Sequence, residues 1–276
     1  MKIGPETVLI NKLTEADYKR YIAPARMEVI KAIQSLQWPP GTKGFYFHPK
    51  SRTKTIGGKK VGGNGVAPIK KPFIDSLKSV LWVDEFSLST SEDIVTNIKV
   101  IKKFGTSKTL IYGTIESLNR TKGEILYKDR SGKSVKALLD PDFESELTDK
   151  ELEGKLVSMR TAKPGDLDVC KKIEDQLFVV EWETGNISSS HRALNKMSLL
   201  LLKGHIIGGI LVVPNRRMYS YLTDRIGNYE ELKPYFDLWR SIGIGRGYLE
   251  VIAIEHDGLS DEAPIIEKGR DGRAAK

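Results

Sequence analysis

Among 276 residues there is a single cysteine, Cys170. That excludes an internal disulfide framework and fits a reducing cytoplasm, the expected location. Histidine is scarce too: His48, His191, His205 and His256 are scattered, and Cys170 has no partner at ligand spacing, so a zinc centre is unsupported. No G-x-S-x-G elbow of a serine hydrolase is present. The glycines of GGKKVGGNG at 57–65 match neither nucleotide-binding pattern, and they read as a mobile basic loop. Long apolar runs are missing as well. The most apolar stretch, Leu199 to Val213, is cut by Lys203, Gly204 and His205, short of the ~20 residues that span a bilayer. The opening MKIGPETVLINKL lacks the apolar centre of a signal peptide. No membrane association is expected.

One further absence is local. From Val29 to Ile74 there is no Asp or Glu, while Lys31, Lys43, Lys50, Arg52, Lys54, Lys59, Lys60, Lys70 and Lys71 fall inside that stretch. A solvated basic face is the ordinary meaning of a charge run. A segment this free of acids, in a chain of net charge +8, points instead to a polyanion, and nucleic-acid phosphates are the commonest one.

What remains reads as an α/β chain with a central mixed sheet flanked by helices. Thr14 can cap a first helix whose apolar face is Tyr18, Tyr21, Ile22, Met27, Ile30 and Ile33, stopped by Trp38-Pro39-Pro40-Gly41. A second helix is expected over about 71–84. Residues 105–140 carry short β-rich segments separated by turn signals, a small β-meander. Thr148 to Glu151 forms a capping box for a helix to about Met159. Next come a strand at 176–183, a helix at about 189–202, a doubly buried strand at 205–214, a helix from Asn228 to about Trp239 and a strand at 248–256.

The strand at 176–183 ends on Glu181-Trp182-Glu183. Residues two apart share a face of a strand, so the two carboxylates lie side by side, opposite Val180 and Trp182. Two such groups stay ionised only beside a cation. Asp168, thirteen residues earlier, can supply a third oxygen. Three carboxylates on a sheet suit Mg²⁺, and a metal so held supports in-line displacement at a phosphodiester. Taken alone, E-x-E is more often a plain solvent face.

EWETGNISSSHRALNK at 181–196 and YLTDRIGNYEELKPYF at 221–236 resemble the BamHI-like type II restriction endonucleases, which carry the PD-(D/E)xK nuclease core. NGVAPIK at 64–70 and KGRDG at 268–272 resemble that family too, in the same order. The resemblance covers roughly 18–88 and 164–272. It implies a restriction-endonuclease-like domain over 1–276, with 92–162 as an inserted β-rich subdomain that has no counterpart in the family.

The resemblance also assigns roles. Asp168 and Glu181 match metal ligands, Glu183 stands where most enzymes of this core have Lys and is the candidate general base, and Lys70 matches a phosphate contact. A fourth acid is expected at Glu85, with Asp84 as competitor. Asn186, Ser188, Arg192, Asp224, Arg225, Asp271 and Gly272 match base-reading positions, and their chemistry suits that work: Asn pairs with adenine, Arg with guanine, Asp accepts from cytosine. Implied are a Mg²⁺ cofactor, double-stranded DNA as substrate, and a GGATCC-type palindrome cut between its guanines to leave 5′ overhangs. A homodimer is implied through helices about 189–203 and 228–240, with Leu194, Met197, Leu201 and Leu232, Tyr235, Trp239 as facing residues, and with Leu202 where the family has Lys. The alternative is a catalytically inactive, sequence-specific DNA-binding protein on the same core, against which the intact acidic set argues.

Overall fold

The computed structural model describes residues 1–86, 90–91, 99–101, 108–110, 113–129, 131–140, 147–154, 161–162, 165–222 and 227–268. The chain divides into two compact units, Met1–Leu88 with Gly165–Lys276, and Ser89–Pro164.

The first unit is built on six strands: β1 (Lys2–Asn11), β2 (Val83–Phe86), β3 (Leu167–Ile173), β4 (Gln176–Trp182), β5 (Gly208–Pro214) and β6 (Tyr248–Glu255). Their spatial order is β1-β6-β5-β4-β3-β2. β4, β5 and β6 run parallel, and the other three pairings are antiparallel, so the sheet is mixed as expected. Three longer helices flank it: α1 (Ala23–Gln34), α2 (Ala67–Lys78) and α3 (Ile187–Leu202).

Alternation along β4 separates two cores. Phe178, Val180 and Trp182 face a cluster with Val29 and Ile33 of α1 and Phe73 and Leu77 of α2. Val179 faces the other cluster, with Leu194, Met197 and Leu201 of α3. Leu232, Phe236 and Trp239 complete that second cluster. Each large apolar side chain so buried contributes about 1.5–3 kcal/mol. The faces expected to meet a second subunit are therefore occupied inside one. Leu194, Met197, Leu201, Leu232 and Trp239 are at most 2% exposed, and of the six only Tyr235 lies open. An apolar stripe reports burial, not the identity of what buries it.

Other expectations shift in register. The first helix begins where Thr14 accepts from the Asp17 amide, then passes through a π turn at Tyr18–Ile22. That wider turn rotates the rest of the helix, so Met27 is half exposed and Ala25, Val29, Ala32 and Ile33 carry the buried line. The second helix starts at Ala67 and ends at Lys78. Leu81 has φ 68°, and the chain re-enters the sheet as β2. The basic loop contains a hairpin, Lys54–Ile56 against Lys59–Val61. Its two-residue turn, Gly57-Gly58, has φ 57° and 76°, which glycine adopts without strain. Pro234 divides the segment after Asn228 into Tyr229–Leu232, a 3₁₀ turn and Phe236–Arg240. β1, not expected from the sequence, is an edge strand whose register slips around Gly4-Pro5, where an edge tolerates proline.

β6 carries a buried charge. Glu250 is 0% exposed, and Arg26 of α1 grips both its oxygens, Nε to Oε2 at 2.8 Å and Nη2 to Oε1 at 2.9 Å. Tyr248 Oη donates to the same carboxylate at 2.8 Å.

The second unit holds the expected meander. Gly113–Asn119, Glu124–Asp129 and Ser134–Leu139 pair in succession, and Lys99–Ile101 and Lys108–Leu110 extend the sheet to five strands. Ile115, Leu118, Ile125, Leu139 and Leu152 form its core. The Thr148–Glu151 capping box is present, but its helix is only Asp149–Leu152, because Gly154 turns away at φ 77°. No described helix is long and apolar enough to cross a membrane.

Candidate active site

β3 and β4 are joined by a tight turn, and Val169 pairs with Val180. The same register sets Asp168 level with Glu181. Asp168 is fixed twice: its Oδ2 accepts from the Trp182 amide at 2.8 Å, and its Oδ1 from Lys70 Nζ at 2.6 Å. Lys70 lies one turn into α2, so that helix and the sheet meet at this carboxylate.

Glu181 is 2% exposed. Lys196 Nζ, from the third turn of α3, lies 2.7 Å from its Oε1 and also donates to the Asp166 carbonyl at 2.6 Å. Burial pushes the Glu181 carboxyl up to about 7, and the Asp168 charge adds to that, while Lys196 pulls the other way. Glu183 lies just beyond, its amide bonded to the Val212 carbonyl. Burial, then Asp168, raises its carboxyl as well. Such displacement of two neighbouring acids is characteristic of functional sites.

The three carboxylates line one cleft of about 560 Å³, together with Lys70, Lys196 and Arg192. The chain then turns at Gly185 into α3. Asn186 caps that helix, accepting from the Ser189 amide at 3.0 Å, and it is exposed, as is Ser188. Gly227 rests on the start of α3, where an added Cβ would stand 2.8 Å from the Ile187 Cα. Any larger residue would push the two segments apart.

Hard carboxylate oxygens around an open cleft fit a divalent cation such as Mg²⁺ by donor chemistry. Among the described residues no three such side chains are already drawn into a ligand shell, and two ammonium groups supply the counter-charge. Glu85 stands apart. It is exposed on β2 with φ 51° and does not line the cleft, and Asp84 beside it pairs with Lys78 at 2.7 Å. Asp224 and Arg225, and Asp271 and Gly272, lie outside the described residues. Their flanks are held by one amide: Asn64, 0% exposed, donates to the Tyr221 carbonyl and the Ser51 hydroxyl and accepts from the Ile266 amide.

Lys196 escaped the sequence reading. It closes the stretch EWETGNISSSHRALNK and lies four residues after Arg192, so it shares the cleft-facing side of α3. Its partner, Glu181, stands on a different element and is invisible to local spacing.

The restriction endonuclease BamHI family model matches residues 1–273. The type II restriction enzyme OkrAI of Oceanobacter kriegii is 53% identical over 114 residues, which is 41% of this chain and 59% of that protein, less than two thirds of its length. The type II restriction enzyme BamHI of Bacillus amyloliquefaciens is 31% identical over 213 residues, 75% of this chain and 93% of that one. The crystal structure of restriction endonuclease BglII complexed with a DNA 16-mer aligns over 100% of this chain and 90% of that chain, at 11% identity and a TM-score of 0.49. With a family match running from the first strand past the last, and the acids of β3 and β4 in one cleft, this chain belongs to the BamHI family of restriction endonucleases.

Proposed function

We propose that the chain is a Mg²⁺-dependent type II deoxyribonuclease of the cytoplasm. It hydrolyses double-stranded DNA at a GGATCC-type palindrome, between the guanines, leaving 5′ overhangs. One observation carries this reading: Asp168, Glu181 and Glu183 line the same cleft as Arg192, at the start of the helix that presents Asn186 and Ser188. The residues proposed for chemistry and those proposed for base reading thereby meet at one helix, α3.

Asp168 and Glu181 would hold the metal, whereas Glu85, expected as a further ligand, stands on β2 outside the cleft. Bound there, Mg²⁺ would supply Lewis-acid charge to the phosphodiester. Glu183 takes the proton of the attacking water, and its raised carboxyl is the better matched to that task near neutral pH. Lys70, beside Asp168, contacts the phosphate, and Lys196 orients Glu181.

Plasmid digestion with and without Mg²⁺, followed by sequencing of the ends, tests the reading. Defined ends within GGATCC, formed only with Mg²⁺, are expected, and random or absent cleavage would overturn it. In the same assay Asn186→Ala should lose about 1–3 kcal/mol of discrimination at one base pair, the worth of a bidentate contact. Arg225, Asp224, Asp271 and Gly272 are assigned to the remaining base edges. Selectivity equal to wild type in Asn186→Ala would remove that residue from the readout.

A palindrome is read by a twofold pair with one active site per strand. The surface proposed for that contact is the outward side of α3 and of 229–240. There Leu202, Tyr235 and Leu238 are 51%, 48% and 61% exposed. Leu238→Asp should convert a dimer to monomers in analytical ultracentrifugation. A wild-type chain that is monomeric both free and on DNA would exclude the assembly.

A further inference from the structure

Because β4, β5 and β6 are parallel, their C-terminal ends open on one edge of the sheet. The carboxylate cleft lies at the end of β4. A second, larger cavity, about 690 Å³, lies at the ends of β5 and β6 and is lined by Lys2, Arg52, Arg216 and Arg217. Its acids are already engaged. Glu255 is taken by Arg217 at 3.0 Å and by the Asn215 amide at 2.6 Å. The Asp257 carboxylate accepts from the Met1 amino group at 2.9 Å and from the Phe45 amide at 2.6 Å. Lys2 donates to a carbonyl, that of Asp257, and has no carboxylate partner among the described residues. Arg52 and Arg216 have no carboxylate partner among the described residues.

The cavity is held in shape from both sides. The Thr53 amide donates to the Ser220 carbonyl at 2.8 Å, which ties the chain carrying Arg52 to the segment after Arg216. His256 forms part of the wall, 8% exposed and packed at a tilt against the stacked rings of Phe47 and Tyr221, and its Nδ1 is buried with no partner among the described residues. Two forked guanidinium groups facing a preformed cavity are the arrangement that receives a tetrahedral oxyanion.

We infer that this cavity is a backbone-phosphate pocket, in which Arg52 and Arg216 clamp one phosphodiester of the DNA a few nucleotides from the bond that is cut. The inference rests on the proposed function for its ligand. Register gives the spacing. Trp182, Val212 and Ile252 are level, and Glu255 lies three residues further on, two strands across. At ~3.3 Å per residue and ~4.8 Å per strand, the two sites are about 14 Å apart. That is less than half of a ~34 Å helical turn, so one duplex spans both. The pocket also gives a use to the acid-free segment 29–74, from which Arg52 comes.

The test compares the wild-type chain with the Arg52→Ala/Arg216→Ala variant. Binding to a duplex with the site and to one without it is measured by fluorescence anisotropy, without Mg²⁺, from about 50 to 200 mM salt. Both affinities should fall about tenfold, and the slope of log K against log salt should become shallower by about 1, the signature of one lost phosphate contact. The position of the cut should not change, since phosphate contacts carry no sequence information. The Arg52→Lys/Arg216→Lys variant should recover the slope, which a misfolded protein would not. Affinity and slope equal to wild type in the Ala variant overturn the pocket while leaving the nuclease reading intact. Calorimetric binding of inorganic phosphate by wild type, lost in the Ala variant whose DNA slope is unchanged, overturns it in favour of a free anion. A wild-type chain that binds neither duplex overturns both readings.

Discussion

Glu183→Ala should cut DNA about two to four orders of magnitude more slowly than wild type, the usual worth of a positioned general base. Specific binding should persist, because among the described residues Glu183 makes no hydrogen bond or ion pair with Asn186, Ser188 or Arg192. Its carboxyl lies just past β4, with the backbone pinned by the Val212 carbonyl, so truncation removes the base without moving the strand. Stability should hold or rise. The variant deletes one of three mutually repelling carboxylates, and sites kept for chemistry commonly cost stability. Single-turnover cleavage, anisotropy and thermal unfolding on one preparation separate these effects. Cleavage at the wild-type rate would remove Glu183 from the chemistry. Loss of binding in step with cleavage would make its role structural.

The largest effect on folding is expected far from that cleft. Arg26→Ala should destabilise the protein by about 3–5 kcal/mol, because it leaves the Glu250 charge buried with only a tyrosine hydroxyl for company. Arg26 is itself held in place by Glu6 at 2.7 Å, so the wild-type fork is already oriented. At roughly 2–4 °C per kcal/mol for a chain of this size, the melting temperature should drop by about 6–20 °C. The Arg26→Met/Glu250→Gln double variant should recover most of the loss, since it removes the charge with its partner. Urea unfolding gives both numbers. A loss under about 1 kcal/mol in Arg26→Ala would mean that water reaches Glu250.

Much of the architecture was legible in the sequence. β5 is a continuous apolar run because both its faces are covered, and the acids of β4 stand out because a period of two is short enough to read by eye. Asn186 is marked in the sequence as a candidate reader through the family resemblance, and its role as the cap of α3 comes from the structure. The misses share a cause. Gly4-Pro5 breaks the alternation of β1, whose pairing with β6 comes from the far end of the chain. Met27 looked apolar and in phase, but one π turn upstream changed the phase. The stripes of α3 and of 229–240 announced burial correctly and their partner wrongly. The Lys70–Asp168 and Lys196–Glu181 pairs bridge separate elements, and no spacing rule reaches across them.

Asn64 sets a constraint on how recognition can change. A single side-chain amide is bonded at the roots of two stretches distant in sequence, at Tyr221 and at Ile266, each leading into residues assigned to base edges. Neither root can shift without breaking a buried bond to the other, so the two stretches are inherited as one frame. New target sequences are then reached by exchanging side chains at the tips, with the frame unchanged. Lengthening or shortening either stretch near its root would disturb both sets of contacts together, and intermediates on that route would lose the old target before gaining another.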